Sequence, residues 1–315
     1  MTAARPADQG GVRPGDDGRR AVGDDGNEPV GHDGGGPLGH DAQRSLLLDR
    51  LLVTASALVW VVGTLFGTGL DGPTGGVAEQ GEGLFSDTAT LIAPMGPAFS
   101  IWSAIYLGLA GYVVWQWLPA TDRSRWAAVT RIPAAAAIAL NGLWLLVVFA
   151  GWIWLSVLVM ALLVVALGRL LVAIAGLPRE GWAADLLVSL TFGTYLGWIC
   201  VATCANIASA LVGTGVEPAS DLAAWITVAV LAVVVGIAWF LLRRSGQRWH
   251  RLGLAAAVVW GVSWVAAGRL TGELRSDLVG WAAVLTALAV AALGAWSLTR
   301  RATVDRRPSA ARAAG

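Results

Sequence analysis

Lysine is absent from this chain of 315 residues, which also holds only three histidines, three tyrosines and two cysteines. Charged residues make up 14% of it and hydrophobic ones 56%. A soluble domain carries roughly 25% charged residues, so the shortfall excludes that class and leaves a membrane protein. Arginine as the sole strong base, with abundant Ala, Gly, Val and Asp, points to a GC-rich bacterial genome. A net charge of +1 argues against nucleic acid as a partner.

The apolar runs lack ionisable groups at mid-membrane depth, since Arg169 and Asp185 fall near run ends where they can snorkel. Proton pumps and ion-coupled carriers need such groups, so an energised transporter is disfavoured. No histidine falls in a run either, which excludes a His-ligated haem. The chain has no resident cofactor, catalytic group or metal site by this reading.

What is plentiful is tryptophan, with seventeen copies. Residues 1–43 are a different material, rich in Gly, Asp, Arg and Pro, and are expected to form a disordered tail with no signal peptide. His32 and His40 read as solvated tail residues.

About 20 apolar residues cross a bilayer. Eight runs qualify or nearly so, around 46–69, 97–118, 134–151, 152–175, 183–212, 222–242, 252–270 and 278–298. The expected fold is an all-α polytopic membrane bundle of about eight helices, a five-helix core over 44–212 with three more over 213–299, then a basic tail over 300–315.

Arginines mark alternate links: Arg44 and Arg50, then Arg123, Arg125 and Arg131, then Arg169 and Arg179, then Arg243, Arg244, Arg248 and Arg251, and finally Arg300, Arg301, Arg306 and Arg307. The first intervening link, 71–96, has Asp71, Glu79, Glu82 and Asp87 and no base, and the link after the fifth run has Glu217 and Asp221. Arg269 and Arg275 break the alternation. The positive-inside rule places both termini in the cytoplasm, in a bacterial inner membrane.

Three runs carry aromatic and polar stripes. Phe99, Trp102 and Tyr106 fall within an arc of roughly 60° at 100° per residue. Asn141 and Trp144 share a face of the third run. In the fifth, Tyr195, Trp198, Ala202 and Asn206 occupy one arc of about 80°. With the topology above, Trp102 lies about 8 Å and Tyr106 about 14 Å inside the outer boundary. A cavity lined by these groups would open outward beneath the long first link. The alternative, that the amides clamp helices together and the indoles pack, stays open here.

Ile101-Trp102-x-x-Ile105-Tyr106, Leu140-Asn141-x-x-Trp144 with Phe149, and Tyr195-Leu196-x-Trp198 with Ala202, Thr203 and Asn206 resemble the TspO/translocator-protein family, the tryptophan-rich sensory proteins. The likeness covers roughly residues 46–212. It implies a five-helix, often dimeric bundle that binds porphyrins or hydrophobic drug-like molecules. It also implies that Phe99, Trp102, Tyr106, Asn141, Trp144, Tyr195, Trp198, Ala202 and Asn206 line or support the pocket. The first link departs from the family's, reading Leu84-Phe85-Ser86-Asp87 and later Pro94-Met95-Gly96-Pro97, and Thr194 stands where a proline is usual. No tyrosine has an arginine within the next five residues, so the sterol pattern is missing.

Gly193, Gly197, Cys200 and Cys204 lie on the opposite side of the fifth run. This small-residue seam suits packing against a second subunit, giving a homodimer, or against the C-terminal helices. Trp260 and Trp264 form either a second aromatic wall or core. Trp115, Trp117, Trp152, Trp154, Trp182, Trp225, Trp239 and Trp296 read as interfacial belt, and His250 as an interfacial residue near anionic lipid.

The function expected from these readings is a membrane receptor or sensor taking a flat apolar ligand, a porphyrin or haem-like molecule. A transporter of a hydrophobic solute is the alternative, and a porphyrin-modifying enzyme a third class. The partners are the bilayer and the small molecule.

Overall fold

The computed structural model describes residues 39–67 and 83–304, with side chains omitted at 67 and 300–304. Most of the N-terminal tail, residues 68–82 of the first link and the end of the C-terminal tail lie outside the described residues. Among those described there are eight helices long and apolar enough to cross a membrane, and no strand. They are α1 (His40–Gly67), α2 (Ile101–Trp115, entered through a 3₁₀ turn Gly96–Ser100), α3 (Arg125–Phe149), α4 (Ile153–Ile174), α5 (Thr191–Val212, continuing a π-helical stretch Ala184–Leu190), α6 (Asp221–Arg244), α7 (Arg248–Thr271) and α8 (Asp277–Val304).

The helices close a ring. α1 packs along α3, α3 on α4, α4 on α5, α5 on α2, and α2 reaches back to α1. The tightest crossing joins Gly63 of α1 to Gly142 of α3, where a methyl on either would collide with the backbone of the other helix. Helices without a hydrophobic drive between them in lipid gain from such close backbone contact.

Polar ties fix the arginine-rich end of the bundle. Arg50 Nε donates to the Gln116 carbonyl at 2.7 Å, and its Nη2 to Asp122 Oδ1 at 2.7 Å. The Trp126 indole donates to Pro178 O at 2.8 Å, linking the start of α3 to the α4–α5 link. Gln247 Nε2 donates to Ile174 O at 2.8 Å and Leu177 O at 2.9 Å, tying the start of α7 to the end of α4.

α7 leans on the outside of α5, α8 on α7, and α6 on α8. The small-residue seam therefore meets the chain's own C-terminal helices: Gly193 faces the His250 backbone and Gly197 that of Leu254. Of the two partners the sequence allows for this seam, the intramolecular one occupies it.

Several sequence expectations need correction. α3 begins at Arg125, ahead of the run expected at 134–151, so Pro133 sits inside the helix. Its missing N–H removes one hydrogen bond of the ladder, a loss that neighbouring helices make tolerable in a bundle. α1 begins at His40, ahead of the run expected at 46–69. His250 belongs to α7, is fully buried and bonds Ser245 Oγ through Nδ1 at 3.2 Å, so it does not face lipid. Asp185 is buried and paired with Arg179 rather than snorkelling. Trp115 is also buried, its ring 5.9 Å from that of Tyr112, and is no belt residue.

Candidate functional site

At the end of the ring away from the arginines, α2, α3, α4 and α5 diverge around a cavity. Its walls include Phe99 and Trp102 from α2 and its entry turn, Asn141 and Trp144 from α3, and Trp198, Ala202 and Asn206 from α5. Seven of the nine residues singled out from the sequence thus border one space. Tyr106 and Tyr195 stand one layer back. The Tyr106 ring lies 5.2 Å from Trp102 and 5.1 Å from Trp60, and that of Tyr195 lies 5.9 Å from Trp102.

Trp102 is the hub of this aromatic cluster. Its ring meets Trp198 edge-on at 6.1 Å, and Trp198 in turn meets Phe99 edge-on at 5.8 Å. These T-shaped contacts set a positive ring edge against a negative face, each worth about 0.5–1.5 kcal/mol beyond buried area. They hold the rings in place at the cavity wall.

The two asparagines play different parts. Asn206 is bonded: its Nδ2 donates to Ser156 Oγ at 3.0 Å, and its Oδ1 accepts from the Trp144 indole at 3.3 Å. One amide thereby clamps α3, α4 and α5. Asn141 is only 1% exposed, yet neither atom of its amide has a partner at full hydrogen-bond geometry. The hydroxyls of Tyr106 and Tyr195 lie beside it. The Trp198 indole N–H is likewise buried and unpartnered. An unsatisfied buried polar group costs about 1–3 kcal/mol, so the Trp198 N–H is polar capacity that the protein leaves unused, while the Asn141 amide has the two tyrosine hydroxyls for neighbours.

The remaining boundary comes from the first link. Phe85, Ser86, Ala93 and Pro94 lie over the opening, and the Phe85 ring meets Trp144 edge-on at 6.3 Å. With this lid in place the cavity is only about 50 Å³, room for a few water molecules. Drug-sized ligands occupy pockets of roughly 300–1,000 Å³. The space as it stands is therefore too small for a molecule of that size.

The lid is held from α7. Arg269, 1% exposed, donates through Nη2 to Asp87 O at 2.6 Å and through Nη1 to Thr90 O at 3.0 Å. Met95 N donates to Trp264 O at 3.2 Å, and the Trp260 indole to Ala98 O at 2.9 Å. Trp260 and Trp264, left open between a wall and core, therefore border the lid anchor. Within the lid, Asp87 Oδ2 accepts from Gly96 N at 3.1 Å, closing the loop on itself.

Sequence reasoning missed Ser156, Met160 and Leu163 of α4, the lid residues, and the role of Arg269. Two signals were present. Ser156 is a lone hydroxyl in an otherwise apolar stretch of α4, and Arg269 breaks the alternation of charged links. Among the described residues, no group of three or more His, Cys, Asp or Glu side chains could hold a metal ion.

No curated protein and no solved structure matches the chain. The sequence model of the TSPO-like protein family matches residues 52–296. That match runs past the ring and through α6, α7 and most of α8, whereas the motif resemblance stops near residue 212. The three C-terminal helices and the lid anchor they carry are thus inside the family pattern, and this multi-pass membrane protein belongs to the TSPO-like protein family.

Proposed function

We propose that the cavity between α2, α3, α4 and α5 is the binding site of a membrane receptor or sensor for a flat apolar molecule, with a porphyrin as the representative ligand. The observation that carries this reading is the convergence of the aromatic and amide stripes of α2, α3 and α5 on one cavity, with the Trp198 indole N–H buried and unpartnered on its wall. Trp102, Trp144, Trp198 and Phe99 supply ring faces for stacking, and Asn141 supplies a donor and an acceptor for a polar edge. Tyr106 and Tyr195 support these groups from behind.

Binding includes displacement of the lid, because the closed cavity is far smaller than a macrocycle. The lid then reports occupancy: its position differs between empty and loaded protein, and α7 transmits that difference to the C-terminal helices. The arginine-rich end of the bundle faces the cytoplasm of a bacterial cell, with both termini on that side, and the lid lies on the outer face.

The test is titration of the detergent-purified chain with protoporphyrin IX, read by tryptophan fluorescence, alongside Trp102→Ala and Asn141→Ala. Saturable quenching that weakens in both variants is the expected result. Quenching that never saturates, or that is the same in all three proteins, would mean partition into detergent and would shift the reading to transport of a hydrophobic solute.

A further inference from the structure

A second cavity lies at the arginine-rich end, outside the five-helix ring. The C-terminal end of α6, the start of α7 and the C-terminal part of α8 converge around a space of about 210 Å³, larger than the closed aromatic cavity. Trp239, Leu242 and Arg243 border it from α6, Ser245 from the turn that follows, Arg251 from α7, and Trp296 from α8.

Its charge is one-sided. Residues 239–251 and 291–299 contain Arg243, Arg244, Arg248 and Arg251 and no carboxylate. Asp305, the next acid along the chain, lies outside the described residues. Neither the Arg50–Asp122 nor the Arg179–Asp185 salt bridge involves a residue of α6, α7 or α8.

The geometry of Arg243 is specific. Its guanidinium carbon stands 4.3 Å from the centre of the Trp239 ring and 5.8 Å from that of Trp296. Stacking engages the flat face of the guanidinium and leaves its in-plane N–H groups for an anion, the fork that matches two phosphate oxygens. Arg251 lies buried on another wall and donates to the Ser297 carbonyl, which fixes its head at the cavity. Leu242 and Leu293 and the two indoles make the rest of the lining apolar. Beside it, Trp239 and Phe240 remain 42% and 49% exposed on the outer surface of the bundle.

We propose that this cavity binds the phosphate headgroup of an anionic phospholipid, with the acyl chains laid against the exposed aromatic side of α6. A cavity at the ends of membrane spans meets lipid at high local concentration, and a basic pocket flanked by interfacial indoles suits an anionic head above an apolar tail. A free phosphate ion would satisfy the arginines but leave the apolar half of the lining unused. The site is distinct from the aromatic cavity and does not depend on its ligand.

The test uses the full chain in neutral detergent. Native mass spectrometry counts the phosphatidylglycerol retained, with phosphatidylcholine as the neutral lipid, and thermal unfolding is followed with each lipid and with inorganic phosphate. The expected result is one retained phosphatidylglycerol, a raised Tm with that lipid alone, and retention weakened about tenfold or more in Arg243→Gln, the loss of one charge-assisted bonding pair. Arg243→Lys, which keeps the charge but loses the fork and much of the stacking, is expected to weaken retention too, while Arg169→Gln on the exposed side of α4 leaves it unchanged. Equal retention of both lipids by the unaltered protein would overturn the proposal, and that comparison needs no variant to fold. Equal loss in Arg243→Gln and Arg169→Gln would reduce the effect to diffuse charge and also overturn it. Stabilisation by inorganic phosphate equal to that by lipid would make this a small-anion site instead.

Discussion

Arg269 and Asp87 are 182 residues apart in sequence, yet the guanidinium of the first donates to the backbone carbonyl of the second at 2.6 Å. The bond joins the last turn of α7 to the lid over the aromatic cavity. Because the acceptor is a carbonyl, Arg269 fixes the path of the lid backbone rather than a side chain of the lid.

Arg269→Gln is therefore expected to loosen the lid while the ring stays folded. Hydrogen exchange at 83–95 should quicken about tenfold or more, as expected for losing a bond to a buried charge, with α3 and α4 unchanged. Unaltered exchange across the lid would show that Met95 and Trp260 hold it without the arginine.

The two amides should respond to different degrees. Asn206→Leu removes the clamp on Trp144 and Ser156 and strands their polar groups, so it should cost about 1–3 kcal/mol in thermal or denaturant unfolding. Asn141→Leu removes an amide whose only neighbours are the Tyr106 and Tyr195 hydroxyls at poor geometry, and should cost less than Asn206→Leu while porphyrin binding weakens. Equal destabilisation by both would show that Asn141 also serves as a helix clamp.

Trp198→Phe separates ring from N–H. The phenyl ring can keep an edge-on contact with Trp102 and Phe99 but leaves the space of the lost five-membered ring, so the fold should lose about 1–3 kcal/mol. If the indole N–H meets the ligand, affinity should fall several-fold in fluorescence titration. Unchanged affinity would limit the role of Trp198 to packing.

Gly197→Leu adds a side chain where the α7 backbone lies. It is expected to cost at least about 2 kcal/mol and to raise protease sensitivity across α6–α8. A variant with unchanged melting would mean that α7 can move away from α5 at little cost.

All eight spans were legible in the sequence, because apolar length dominates in a bilayer and the runs are long. Their ends were less so. α3 extends back to Arg125 because its first turns are buried against neighbouring segments, which hydropathy does not register. The same blindness explains His250, Arg269 and Trp115: a polar or aromatic residue near a run end reads as interfacial whether it faces headgroups or another helix. The aromatic stripes were readable because helical periodicity aligns Trp102 with Tyr106 and Trp198 with Asn206 before any packing is known. That Asn206 is bonded and Asn141 is not depends on Ser156, contributed by a helix with no stripe. The lid's place over Trp144 depends on Arg269, a distant residue that no local pattern connects to the loop.

The seam formed by Gly193 and Gly197 has one more consequence. A helix from a separate polypeptide would occupy that groove according to how crowded the membrane is, and would leave it as the protein became scarce. Here α7 arrives on the same chain, at a local concentration fixed by the short connections that lead to it. The anchoring of the lid is accordingly unimolecular, and a single copy in a sparsely populated membrane keeps its cavity as well covered as one among many.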